Sequence, residues 1–343
     1  MTQLERFRSE IPQPDPSHLR RHEERLLAAI TDPAIRAAEH APKRWRRTSR
    51  LGLLSLAAGL AAAVAAGVVV VVEHRDVSAV IHPMPVAASE VLTRAAENVN
   101  RTAELYPKPG QFLVYESQSM HPDVGADRDG RVMRYLSRGK RKVWLPVAGD
   151  ATGGVIEEEK LPPKQFPGWP IPLQARENVG RSGPSKLADF DDRAEFLRSD
   201  YAYVSLLPTE PQKMYEHLYT KLGHGPQDDT DAWGRVYVLL GEAYLPAAQR
   251  AALFRAAAAI PGVITVEHAV DAAGRTGIAA ARIDPFLGER EEYIFDRETY
   301  QYLGMRSVVT DAKRAGAPVG TVLSSSAQLS ISVADHAPAV QGD

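Results

Sequence analysis

The chain has 343 residues, 44% of them hydrophobic and 24% charged, a globular composition with room for two ordinary domains. Cysteine is absent, which excludes disulfides, a thiolate metal site and a lipid-acceptor thiol. The net charge of −2 conceals an asymmetry: residues 1–50 carry 11 Lys/Arg against 7 Asp/Glu, a net of +4, and the remainder 30 against 36, a net of −6.

The N-terminal tail, residues 1–50, is basic. Asp15 followed by Pro16 is N-cap chemistry with proline in the first helical position. Beyond it, Leu19, Leu26, Leu27 and Ile30 form one apolar stripe, backed by Arg20, Arg21, Glu24 and Arg25, and Pro33 closes the segment. A lone amphipathic helix this short is marginal in water. The stripe is therefore read in two ways, as a segment that orders against a partner groove or as a half-disordered tail that only sets topology. His18 and His22 share a helix face but have no third ligand nearby, so solvent-facing histidines are expected there rather than a metal site.

Leu51–Val72 is 22 uncharged residues, which as a helix spans roughly 33 Å, enough for a hydrocarbon core of about 30 Å. A transmembrane helix is expected. Lys43, Arg44, Arg46, Arg47 and Arg50 precede it and Glu73, His74, Arg75 and Asp76 follow, which places the N-terminus in the cytoplasm and the C-terminal part outside the cell membrane. The competing reading, a cleaved signal peptide, suits an apolar core shorter than this one. Ser55, Gly59, Ala63 and Gly67 recur every four residues, a stripe on which two copies could pack as a homodimer; an Ala/Gly-rich helix also produces such spacing by chance. The basic cluster before the helix reads as a topological determinant and a contact for anionic lipid, and direct nucleic-acid binding is not expected.

Residues 73–86 read as a tether and residues 87–336 as an extracytoplasmic α+β domain with a curved antiparallel sheet, leaving 337–343 as a disordered tail. Ser89 caps a helix running to about Val99. Phe112–Met120 is a strand; Arg131–Ser137 and Arg141–Leu145 read as two further strands across a turn at Gly139. Leu161–Pro184 is dense in Pro and Gly and is expected to be a long loop. The period then changes to helical over Pro211–Leu222, Thr230–Leu240 and Pro246–Ile260, with Pro261-Gly262 as the stop. A meander follows: Val263–Val270, a turn at Asp271-Ala272-Ala273-Gly274, Thr276–Ile283, Glu291–Phe295, Tyr302–Thr310 and Thr321–Val333.

PQPDP, ASEVLTRAAE, PKPGQFLVYES, LPTEPQKMYEHL, AALFRAAAAIPGV, DAAGRTGIAAAR and YIFDRETYQYLGMRSVV, in that order around a basic-flanked anchor, resemble an uncharacterised family of actinobacterial single-pass membrane proteins often encoded beside extracytoplasmic-function sigma factors. The resemblance implies regulation, with a sigma factor as the cytoplasmic partner. The late strands are also similar, at the level of fold, to the half-barrels of periplasmic lipoprotein carriers and sigma-regulator sensor domains.

No G-x-S-x-G elbow, P-loop or G-x-G-x-x-G is present, and Ser324, Ser325 and Ser326 fall in an expected strand, so neither a catalytic centre nor a cofactor is expected. Asp228, Asp229 and Asp231 miss the order of a calcium loop and read as an acidic helix start. His217 and His224 read as surface histidines, and Glu157–Glu159 as a solvated run. Two functions follow: a membrane regulator or sensor with an outer ligand-binding domain, or a tethered carrier of an apolar ligand such as a lipid.

Overall fold

The computed structural model describes residues 83–87, 89–126, 131–149, 153–187 and 194–340. The expected inner helix and the expected membrane span Leu51–Val72 lie outside these. Among the described residues no helix is long and apolar enough to cross a membrane.

The described residues form an α+β fold around one open, curved, antiparallel sheet of nine strands in the order β4-β3-β2-β1-β9-β8-β7-β6-β5. The strands are β1 (Phe112–Ala126), β2 (Val132–Pro146), β3 (Val155–Gln165), β4 (Gly180–Lys186), β5 (Ile264–Val270), β6 (Thr276–Asp284), β7 (Glu289–Phe295), β8 (Tyr302–Val309) and β9 (Val322–Ala334). Helices α1 (Glu90–Glu97), α4 (Pro211–Leu218), α5 (Pro226–Leu240) and α6 (Ala247–Ala258) make the layer on one face, while α2 (Leu173–Glu177), α3 (Tyr201–Val204) and α7 (Ala312–Ala315) are single turns in connections.

The helix layer forms where the sequence indicates it. Ser89 caps α1, its hydroxyl accepting from the Leu92 N–H at 3.5 Å, and Val91, Leu92, Ala95 and Ala96 are buried. Helix α6 is alanine on nearly every side and buried on nearly every side, because it packs against both α1 and α4. Aromatic stacking fixes the layer to the sheet. Trp233 of α5 lies parallel to Tyr293 of β7, ring centres 4.2 Å apart, and the Tyr293 hydroxyl donates to the Trp233 carbonyl at 2.7 Å. Phe254 of α6 meets Phe295 edge-on at 5.5 Å.

Two expectations are corrected. Gly139 is no turn: β2 runs unbroken from Val132 to Pro146, and Gly139 sits opposite Ser119 on one side and Lys160 on the other, so ladders from both neighbours hold it extended. Nor is Leu161–Pro184 a loop throughout. Strand β3 continues to Gln165, and the register steps from Arg138↔Leu161 to Leu136↔Lys164, so the prolines at 162 and 163, one of which would otherwise be asked for a ladder N–H, fall in the irregularity. Strand β4 takes Gly183 and Pro184 at the sheet edge, the place in a sheet that tolerates proline. Residues 337–340, expected as part of a disordered tail, have no regular structure, yet Ala337 and Val340 pack on Val114, Trp144 and Val155. The expected tether also makes contacts, with Met84 against the helix core and its N–H donating to Gln212 Oε1 at 3.0 Å.

Within the sheet, backbone of a neighbouring strand presses on glycine. A Cβ on Gly304 would stand 2.1 Å from the Ser326 carbonyl oxygen, an atom of a paired strand that cannot swing away. Gly304→Ala is therefore expected to lower stability by about 3 kcal/mol, the upper range for overpacking. Gly183→Ala, where no atom lies within 4 Å of the new Cβ, is expected to stay within about 0.5 kcal/mol of the parent. Urea unfolding of the two variants checks this; equal losses would mean that the close approach at Gly304 is relieved by a small shift of the strand.

Candidate functional site

The β5–β6 turn is built to be rigid. The Asp271 carboxylate, with no exposed surface, accepts from the Ala273 and Arg275 N–H groups at 2.9 Å each and from Arg275 Nε at 2.7 Å, while Gly274 supplies the left-handed residue at φ 87°. Arg275 Nη2 then donates to the Leu303 and Gln328 carbonyls, at 2.7 and 2.8 Å. These bonds staple the turn across β8 and β9 on the sheet face opposite the helices. Its tip reaches further: the Ala272 N–H donates to the Ser326 carbonyl at 3.4 Å, and Gln118 Nε2 of β1 donates to the Ala272 carbonyl at 2.5 Å.

Beneath this turn lies a recess of about 190 Å³. Its floor is one cross-strand row, Arg306 opposite Ser325, Ser325 opposite Met120 and Met120 opposite Arg138, and Lys164 of β3 adds the far wall. Arg306 is already oriented. Its Nε donates to Glu292 Oε2 at 2.7 Å and its Nη2 to the His268 carbonyl at 3.0 Å, which leaves Nη1 without a partner among the described residues. Glu292 is fully buried and its other oxygen takes two bonds from Arg290, at 2.9 and 2.6 Å. Among the described residues Arg138 reaches only the Pro162 carbonyl, at 3.3 Å, and the exposed Lys164 ammonium meets no acceptor.

The helix-covered face holds a second set of polar groups. Arg141 of β2 pairs with Glu242 beyond the end of α5, and burial pushes the Glu242 carboxyl up against the opposing pull of that arginine. Burial also raises Tyr237 to about 12, and Tyr302 well above the usual phenol range. Burial lowers His121, opposed by Asp123 and aided by Arg141, and its Nδ1 is buried with no hydrogen-bond partner among the described residues. Glu291, opposite Arg282 and Ser307, is pushed up to about 7, first by burial and then by the like charges of Asp284 and Glu289, against weaker opposing pulls from Tyr293 and then Arg282.

The sequence-derived candidates fare unevenly. The partner stripe Leu19, Leu26, Leu27 and Ile30 and the small-residue stripe Ser55, Gly59, Ala63 and Gly67 lie outside the described residues. Asp228, Asp229 and Asp231 start α5 and are individually engaged: Asp228 by the Gly223 N–H, Asp229 by the Tyr219 hydroxyl, Asp231 by Gln227. His217 is half-buried beside the Tyr203 ring rather than a surface group, and burial holds it down at about 4. Glu157–Glu159 belong to β3, with Glu159 3.5 Å from Arg181. The recess residues Arg138, Lys164 and Arg306 were not singled out from the sequence, and Asp271 was read only as part of a turn. The available cue was Arg306 within YLGMRSVV, a cation in an otherwise apolar strand.

No protein-family model matches the chain, and no curated protein matches it. The functional reading therefore rests on the geometry together with the sequence.

Glu291 gives a pH signature of known sign. Between the ordinary carboxylate range, about 4.3, and about 7, the folded protein keeps a proton that the unfolded chain releases. This contribution to stability is complete below that window and lost as the pH climbs to about 7. His217, held at about 4, acts oppositely: its contribution is lost as the pH falls from about 6.5. Glu291→Gln removes the first effect alone, so the melting temperature of the variant minus that of the parent is expected to rise from pH 5 to pH 8. A difference that stays flat over this range would mean that Glu291 is ionised throughout.

Proposed function

We propose that the chain is a single-pass membrane regulator whose outer domain binds a small polar ligand. In this reading Leu51–Val72 crosses the membrane and connects that domain to the inner stripe of Leu19, Leu26, Leu27 and Ile30. The stripe engages a cytoplasmic partner, a sigma factor being the partner that the resemblance implies. The observation that carries the reading is the recess under the β5–β6 turn, which gathers side chains that the domain's own ion pairs leave over: among the described residues Arg138 donates to a single carbonyl and the Lys164 ammonium makes no hydrogen bond or ion pair. A few charged groups that converge in a concavity and are not consumed by the fold mark a candidate recognition site. Recognition without turnover is the reading favoured, since cations, a hydroxyl and an amide are groups that hold a ligand.

The tethered apolar carrier is the weaker reading. The large apolar side chains of the helix-covered sheet face are engaged by the helix layer itself, Tyr293 by Trp233 and Phe295 by Phe254, and the recess on the other face sets the charged groups of Arg138, Lys164 and Arg306 among Met120, Val270 and Val322, where a wholly apolar guest would strip them of water. Mass spectrometry of the purified protein is expected to find no stoichiometric lipid beyond the annular shell, and one tightly held lipid per chain would restore the carrier.

The regulator reading is tested by crosslinking in the native membrane followed by pull-down of the full-length chain. The parent is expected to recover a sigma factor, and a variant with Leu19, Leu26 and Ile30 all changed to Asp is expected to lose it. The same proteins recovered from both would sink the proposal.

A further inference from the structure

Resting on the reading of the outer domain as a ligand-binding module, we infer that the recess under the β5–β6 turn is an oxyanion site, one that takes a phosphoryl, sulfuryl or carboxylate group. Charge decides the class. Five cationic side chains, Arg138, Lys164, Arg275, Arg290 and Arg306, stand in or directly behind the recess against two carboxylates, Asp271 and Glu292, an excess of three positive charges in a part of the chain whose overall balance is −6. Both carboxylates are sequestered. Asp271 is saturated by Arg275 and the turn N–H groups, and Glu292 is divided between Arg290 and Arg306. The adjoining charges on the same face, Glu116 with Lys142 and Glu159 with Arg181, neutralise each other pairwise and leave the excess where it is.

The donors are also arranged for an anion. Two of the three nitrogens of Arg306 are already bonded, so the guanidinium presents Nη1 without losing rotamer freedom on binding. Ser325, 7% exposed, offers a hydroxyl between Arg306 and Arg138 on the same cross-strand row. A cation would be repelled, and a neutral guest would leave the excess charge unanswered. The volume of about 190 Å³ is little more than the roughly 150 Å³ that holds a benzene ring, so it admits one oxyanion group with a few attached atoms. The same chemistry is carried by a soluble anion and by the headgroup of an anionic lipid.

The test uses the full-length chain in phosphatidylcholine nanodiscs, titrated with inorganic phosphate by calorimetry. Saturable binding is expected, weakened at least tenfold in Arg138→Gln/Lys164→Gln and changed less than twofold in Lys140→Gln, which removes a charge from the same strand outside the recess. Equal melting temperatures establish that the double variant is folded. Nanodiscs doped with phosphatidylglycerol separate the sources: suppressed phosphate binding means that a headgroup occupies the recess, and unchanged affinity means a soluble anion, either result upholding the site. Absence of saturable phosphate binding, or equal losses in Lys140→Gln and the double variant, overturns it. If phosphate binds as expected yet leaves sigma-factor recovery unaltered in the pull-down, the oxyanion site stands and the regulatory coupling fails.

Discussion

A carboxylate without solvent constrains more of this domain than any other group. Glu292 lies on β7, an interior strand of the sheet, with no exposed surface, and an ionised carboxylate in that position requires countercharge and hydrogen bonds to offset its lost hydration. It receives them from two neighbours on the same face: Arg290, two residues along β7, and Arg306, directly opposite on β8. One carboxylate cannot neutralise two guanidiniums. The surplus charge is thereby built into the sheet, and Arg306 is fixed with one side toward Glu292 and the other toward the recess.

The next residue along β7 organises the opposite face. Tyr293 points the other way because side chains alternate along a strand, and it meets Trp233 and the helix layer. That layer is attached at its helix ends by arginines as much as by apolar contact. Arg235 donates to the Leu218 and Thr220 carbonyls at the end of α4, and Arg282 of β6 donates to the Pro261 carbonyl, the Thr230 hydroxyl and the Pro226 carbonyl. Arg235 thus satisfies carbonyls left open at the C-terminus of α4, while Arg282 bridges the start of α5 to the carbonyl of Pro261 beyond α6. With its guanidinium engaged by these acceptors and 3.9 Å from the Asp229 carboxylate, Arg282 gives Glu291 only weak electrostatic relief, which agrees with the upward displacement of that carboxyl to about 7.

The long helices, the turns and the last five strands were legible because their determinants are local: Ser89 as a cap, Pro211 in a first helical position, Pro261-Gly262 as a stop, Asp271 to Gly274 as a turn; α5 begins at Pro226, four residues ahead of the expected Thr230, and the single-turn helices α2, α3 and α7 were not expected. Gly139 and the Pro/Gly-rich stretch misled because their conformation is imposed from outside, by ladders on both sides of Gly139 and by a bulge that accommodates Pro162 and Pro163. The recess was not legible for a related reason. Its polar walls come from positions 118, 138, 164, 271, 306 and 325, and nothing within DAAGR tells a reader that its turn folds onto β9 and β1.

An open sheet has two edges, and the way each is blunted explains why the recess lies where it does. The β4 edge is short, carries Arg181 and Lys186, and is interrupted at Gly183 and Pro184, features that discourage further strand pairing. The β5 edge uses a bulge instead: the register with β6 passes from Val266↔Ala279 to Ala269↔Gly277, one residue in excess on β5. A bulge bends its strand and increases the local twist, here turning the end of β5 back over the sheet. The His268 carbonyl consequently reaches Arg306, and the turn beyond it reaches Ser326 and Gln118. Gly277 allows the bend, since a Cβ there would lie 2.2 Å from the Phe295 carbonyl oxygen. The device that protects the edge thus also roofs the cationic row of the sheet, so the edge and the recess have one structural cause.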